Sequence, residues 1–219
     1  MAQTKKKSSG ADTKRRILDA TLECLRVNGI TGTSARAIAN VGDFNQALIF
    51  YHFGSVNDAV IQAVGHMTER QRDRYRTQLA DANDFSTIVE VARDLREEDA
   101  ASGSISMLTQ AFAGAQGNPE LGKQLYGQLE EWTAVVAESI ERSIGDSPIG
   151  NLVTSEHLAF GLSALFVGME LLSAMDPEKA PTDELLNEFA ELATVLQTLV
   201  ESPLVQSLMA ASESAKAAS

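Results

Sequence analysis

Between Asp12 and Phe53 the chain permits only short helices. Asn28-Gly29, Gly42-Asp43 and Gly54 each interrupt a helical pattern soon after it begins. Asp12 is placed to cap a helix running to about Asn28, with Ile17, Leu18, Thr21, Cys24 and Leu25 on its apolar face. Thr33 or Ser34 caps a second helix holding Ala35, Ala37, Ile38 and Ala39. Asn45 caps a third, ending near Phe53. A short helix, a Gly-containing turn and a second short capped helix make a helix-turn-helix. The alanines at 35, 37, 39 and 47 let such helices cross closely. The last of them opens with Asn45-Gln46, whose amides donate and accept at once, as the major-groove edge of adenine requires.

Charge is divided to match. Residues 1–56 hold eight Lys and Arg against four Asp and Glu, a net of +4, while residues 57–219 hold ten against 26, a net of −16. A basic module joined to an acidic body is the expected reading, with Lys5, Lys6 and Lys7 as a basic arm. That arm is expected to add non-specific attraction to DNA. Cys24, the only cysteine, excludes an intrachain disulfide and a cysteine metal cluster; a small buried thiol is expected there. The polar N-terminus has no apolar signal stretch, so the protein is read as cytoplasmic. Leu158 to Met175 is apolar enough to suggest a membrane span, but Glu170, Ser163 and Ser173 lie inside it. A helix buried between protein surfaces is the preferred reading, with no membrane partner.

The remainder also reads as helix, giving an all-α chain of about nine segments. Ser55 with Asp58 opens a long helix to about Leu79 in the manner of a capping box. Phe85 to Glu98 and Ser104 to Ala113 follow. Asn118-Pro119 starts a helix to about Ile144, Thr154 one to about Met175, and Thr182 one to about Glu201. The expected domains are a disordered basic arm (1–11), a DNA-binding head (12–56), a helical effector-binding and dimerisation body (57–202) and a flexible tail (203–219).

Residues 12–60 resemble the DNA-binding domain of the TetR family of bacterial repressors. The stretches TKRRILDATLECLRVNGITGTSARAIAN and FNQALIFYHFGSV carry the likeness. The resemblance implies that the aromatic end of the third helix wedges against its neighbours and touches phosphates. By position Phe53 is then core. Phe50 stands where many members carry Tyr, and Tyr51 and His52 could supply polar contacts instead. Thr33, Ser34 and Arg36 match positions that meet phosphate or bases; Gln46 and Ala47 match recognition positions, and Asn45 serves as cap or base reader. Asp43 stands where the family usually has Gly, and Val56 replaces a Lys that often meets phosphate. Arg15, Arg16 and the arm are candidates to compensate.

In the body, Gly161, Ala164, Leu165 and Gly168, with Phe189, Leu192 and Leu196, are expected to form a four-helix interface between two copies. Met107, Gln110, Phe112, Gln128, Trp132, Phe160 and Phe166 are the candidate lining of an effector cavity. No G-x-S-x-G or G-x-x-x-x-G-K-[ST] occurs, and neither His66 nor His157 has a Glu three residues before it. Catalytic residues, a metal and a cofactor are therefore not expected. The function indicated is a homodimeric repressor on double-stranded palindromic DNA, released by an apolar or weakly polar small molecule. A ligand-independent regulator or activator of the same fold is the nearest rival. An α-helical enzyme using the cavity is the rival from another class.

Overall fold

The computed structural model describes residues 10–82, 84–145, 153–203 and 207. The described residues form nine helices and no strand: α1 (Gly10–Gly32), α2 (Ala35–Gly42), α3 (Ala47–Phe53), α4 (Val56–Leu79), α5 (Phe85–Ala101), α6 (Ser104–Ala115), α7 (Pro119–Ile144), α8 (Ser155–Met175) and α9 (Thr182–Glu201). Helix α1 begins two residues earlier than expected, so Gly10 and Ala11 belong to it rather than to the arm; residues 1–9 of the arm lie outside the described residues. Most of the expected tail, 204–206 and 208–219, does so too.

The helices fall into two compact units, one of residues 1–70 and 102–128, the other of 71–101 and 129–219. In the first, Ile17, Leu18, Ala20 and Cys24 of α1 meet Ile38 of α2, Ile49 and Phe53 of α3, and Ala59 and Ala63 of α4. Complete burial of Ile17, Ile38 and Ile49 contributes roughly 1.5–3 kcal/mol apiece. The unit does not stop near residue 56. One face of α4 continues as Val60, Val64 and Met67, which pack with Leu25, with Met107 and Ala111 of α6, and with Leu121 and Leu125 of α7. An apolar stripe without a break offers no physical boundary there.

Backbone breaks define the head. Gly29 interrupts α1 at φ 65°, a left-handed value that glycine adopts without strain, where Asn28-Gly29 was expected to stop the helix. Asp43 closes α2 at φ 50° and ψ 57°, and its N–H bonds the Ala39 carbonyl. It is the one non-glycine residue at positive φ among those described. Gly42 serves space rather than dihedral freedom: a Cβ there would lie 2.1 Å from Phe44 and 2.9 Å from the Ala20 Cβ.

In the second unit Tyr75, Leu79, Ala82, Ile88, Leu95 and Val135 form one core cluster. Val136, Ala137, Ile140, Ile144 and Ala159 form another. Helix α8 is long and apolar enough to cross a membrane by length and composition alone, and little of its apolar stretch is buried in this chain. It was expected to lie between protein surfaces; here one side is covered and the other is open. Within that stretch Glu170 is buried, and its carboxylate accepts from Arg96 Nε at 2.6 Å. The same guanidinium donates to Asp183 of α9 at 2.9 Å. One arginine thus ties α5, α8 and α9 together.

Candidate nucleic-acid interface and effector cavity

Two short helices carry the candidate interface. Ser34 caps α2, its Oγ accepting from the Ala37 N–H at 3.2 Å. Thr33 donates its hydroxyl to the Gly29 carbonyl at 2.8 Å, which ties the approach to α2 back onto the α1 kink. Asn45 Oδ1 accepts from the Ala47 N–H at 2.9 Å and so starts α3. Its carbonyl side is therefore engaged in capping. At the far end Ser55 accepts from the Asp58 N–H at 3.0 Å, as a capping box requires, while the Asp58 carboxylate accepts from the Ser55 hydroxyl at 2.6 Å rather than from its backbone N–H.

The α3 aromatics divide by facing. Ile49 and Phe53 are buried in the head core, whereas Phe50 and Tyr51 are 51% and 82% exposed. Gln46 and Ala47 are exposed on the same short helix entry, and Ser34 and Arg36 are exposed on α2. His52 is half-buried, and the Tyr51 ring stands edge-on to it at 5.0 Å. Large apolar surface is ordinarily withdrawn from water, so two adjacent exposed aromatics on a seven-residue helix mark a face held open for a partner.

Basic residues near this face are not equivalent. Arg16 points inward to the turn: Nε and Nη2 donate to the Gly42 carbonyl at 3.1 and 2.7 Å, and Nη2 donates to the Asp43 carbonyl at 2.5 Å. Its guanidinium also lies over Phe44. Arg16 therefore holds the turn, a role that sequence reading missed because the distance from 16 to 42 hides it. Lys14 stands over the Phe53 ring at 5.4 Å. Arg15 and Arg36 are exposed and take part in no ion pair among the described residues.

The second unit contains a cavity of about 310 Å³. Tyr75, Trp132, Leu162, Phe166, Met169 and Phe189 line it, and the charged residues along its wall are Arg93 and Arg96. Burial pushes the Tyr75 hydroxyl well above its ordinary value, with the Asp99 carboxylate adding to the shift. Of the seven residues predicted to line a cavity, the structure brings Trp132 and Phe166 together here, ring on ring at 6.2 Å. The other five do not join them. Met107 is buried within the first unit, and Phe112 packs against that core. Gln110 sits against Gly29, and Gln128 accepts from the Thr68 hydroxyl. Phe160 is exposed on α8. Arg93 and Arg96 went unnoticed; the available signal was a pair of arginines one turn apart on a helix otherwise apolar on that side.

The residues predicted for a dimer interface lie mostly in the open. Gly161, Ala164, Leu165 and Leu192 are exposed, Gly168 and Phe189 half-exposed, and the Leu196 side chain lies outside the described residues. A Cβ added at Gly161 or Gly168 would meet nothing within 4 Å. Leu165, Phe189 and Leu192 also line the cavity. Among the described residues no group of His, Cys, Asp and Glu is arranged to hold a metal ion.

Residues 17–58 match the family model for bacterial regulatory proteins of the tetR family. Solved structures share the fold over most of the chain. A protein from Mesorhizobium loti described as a tetR-family transcriptional regulator is 18% identical at a TM-score of 0.68, with 88% of this chain and 98% of that one covered. The fatty acid degradation regulator FadR of Bacillus halodurans is 17% identical at 0.69, covering 86% and 96%. A Saccharomonospora viridis regulator solved with choline is 20% identical at 0.68, covering 83% and 96%. No curated protein sequence matches the chain. The head is a helix-turn-helix, and its family match together with the shared fold supports a DNA-binding regulator of transcription. The head matches that family over residues 17–58, and the nine helices of the described residues share the fold of the regulators named above.

Proposed function

We propose that the protein is a repressor that binds a palindromic operator as a homodimer and is released by a small molecule held in the second unit's cavity. The observation that carries this reading is the open face of α3, where Phe50 and Tyr51 stand exposed beside Gln46 and Ala47 while Ile49 and Phe53 anchor the helix from behind. Gln46 and Ala47 read base edges. Thr33, Ser34, Arg36, Asn45, Phe50, Tyr51 and His52 set the helix against the backbone of the duplex. The open apolar side of α8 and α9 supports a second copy, whose head then meets the next major groove about 34 Å away. A ligand releases DNA only by favouring a dimer whose heads are spaced differently. The choline bound by the Saccharomonospora viridis neighbour supports a small-molecule effector here without naming it. Such a protein works where the chromosome is, in the cytoplasm.

A mobility-shift titration at two salt concentrations, on fragments from upstream of the protein's own gene, tests the reading. A retarded complex on one fragment, weakening steeply with salt yet surviving excess random DNA, is the expected result. Equal retardation of every fragment would remove the operator. A reporter driven from the retarded fragment should fall in output when the protein is present; a rise would make it an activator.

A further inference from the structure

We infer that the effector is an organic anion, an apolar body carrying a carboxylate or comparable acidic head; this rests on the reading of the second unit's cavity as the effector site. The chain holds 30 acidic residues against 18 basic ones, yet both charged residues lining the cavity are arginines. They lie one turn apart on α5, and no carboxylate is among the described residues that line the wall.

The two arginines differ in how fully they are satisfied. Arg96 donates to Glu170 and Asp183, so its charge is answered within the protein. Among the described residues Arg93 has only Asp94, its exposed neighbour on the same helix, at 3.9 Å. That is beyond hydrogen-bond distance, and the Arg93 guanidinium keeps its planar fork for a ligand oxygen pair.

Charge disfavours a cation, which would face the Arg93 guanidinium, whose nearest carboxylate among the described residues is Asp94 at 3.9 Å. Trp132 lies flat on Phe166, with 21° between the rings, and takes the edge of Tyr75 at 5.5 Å. A neutral ligand would be held by Leu79, Leu162 and Met169 but would gain nothing from the Arg93 charge, which an acidic head pairs with. At about 310 Å³ the space lies near the small end of the roughly 300–1,000 Å³ typical of ligand sites, which suits a medium-length chain or a small ring system.

Trp132 is the only tryptophan in the chain and lines the cavity, so its fluorescence reports occupancy directly. Octanoate, octanol and octyltrimethylammonium share one tail and differ in head charge. Titrated below their micelle concentrations, octanoate should bind about tenfold more tightly than octanol, and the ammonium least. Arg93→Gln should bring octanoate to the level of octanol and leave octanol unchanged, while Arg93→Lys retains part of the preference. Octanol matching octanoate, or an Arg93→Gln protein binding octanoate as before, would overturn the inference and leave the cavity standing. If none of the three perturbs Trp132, the effector cavity itself is refuted, and the anion with it.

Discussion

The guanidinium of Arg16 grips the carbonyl of Gly42 through two nitrogens, at 3.1 and 2.7 Å. The turn between α2 and α3 is thereby bolted to α1, and the entry of α3 is held in place. A charged donor to a carbonyl is worth about 1.5–3 kcal/mol when sheltered, and the exposure of Arg16 places the effect at the lower end. Arg16→Met should lower stability by roughly 1–2 kcal/mol in denaturant titration. Unchanged stability with weakened DNA binding would instead make Arg16 a phosphate ligand.

Gln46 is exposed at the start of α3 and makes no side-chain capping bond. Gln46→Ala should cost roughly 1–3 kcal/mol on the cognate operator and less on random DNA. Mobility-shift titrations on both sequences measure the difference, and equal losses would show that Gln46 does not read bases.

A second copy approaching α8 closely needs the space beside Gly161 and Gly168. Since a Cβ at either site meets nothing within 4 Å among the described residues, Gly161→Leu and Gly168→Leu should leave the fold of one chain intact. Overpacking between chains costs roughly 1–3 kcal/mol, so each substitution should weaken the dimer by about tenfold or more. Sedimentation of the variants beside the parent protein by analytical ultracentrifugation reads the mass directly; variants that retain the mass of the proposed dimer would move the interface off this face.

Arg96 bonds two carboxylates of unequal surroundings. Glu170 is 8% exposed and Asp183 is 82% exposed. Removing the shared arginine strands a buried charge, so Arg96→Met should cost about 3–5 kcal/mol. Asp183→Asn should cost under about 1 kcal/mol, because water already screens that pair. Thermal unfolding of the two variants checks the order, and a reversal would mean that Glu170 is better hydrated than its burial implies.

Asp84 precedes α5 and accepts from Thr87 twice, from its N–H at 2.8 Å and its hydroxyl at 2.6 Å. The hydroxyl bond first, then the backbone bond, holds the Asp84 carboxyl below its ordinary value. A depressed folded-state value means that the stabilisation is present above the usual carboxylate value of about 3.9 and fades as pH falls through the folded one. The melting temperatures of the parent and Asp84→Asn proteins should therefore differ most near neutrality and converge in acid. Curves that stay parallel at every pH would remove the charge from the account.

Local signals made the head legible. Asn28-Gly29, Gly42-Asp43, Ser34, Asn45 and Ser55 each act within four residues of their own position, and each breaks or caps a helix where spacing placed it. Phe53 lies in the core, where the family resemblance placed it. What escaped depends on residues far apart in the chain. Arg16 meets a turn 26 positions away, and Arg96 meets Glu170 at a separation of 74. The cavity escaped likewise, since Met107 and Trp132 look alike as apolar helix residues and only packing assigns them to different units.

The turn between α2 and α3 divides two tasks between neighbours. Gly42 supplies room, because Phe44 and Ala20 leave none for a side chain, while Asp43 takes the left-handed dihedral that a glycine would adopt more easily. The junction is consequently encoded in the order of two letters rather than in their composition. Transposed, the pair would ease the torsion and collide with the ring behind it.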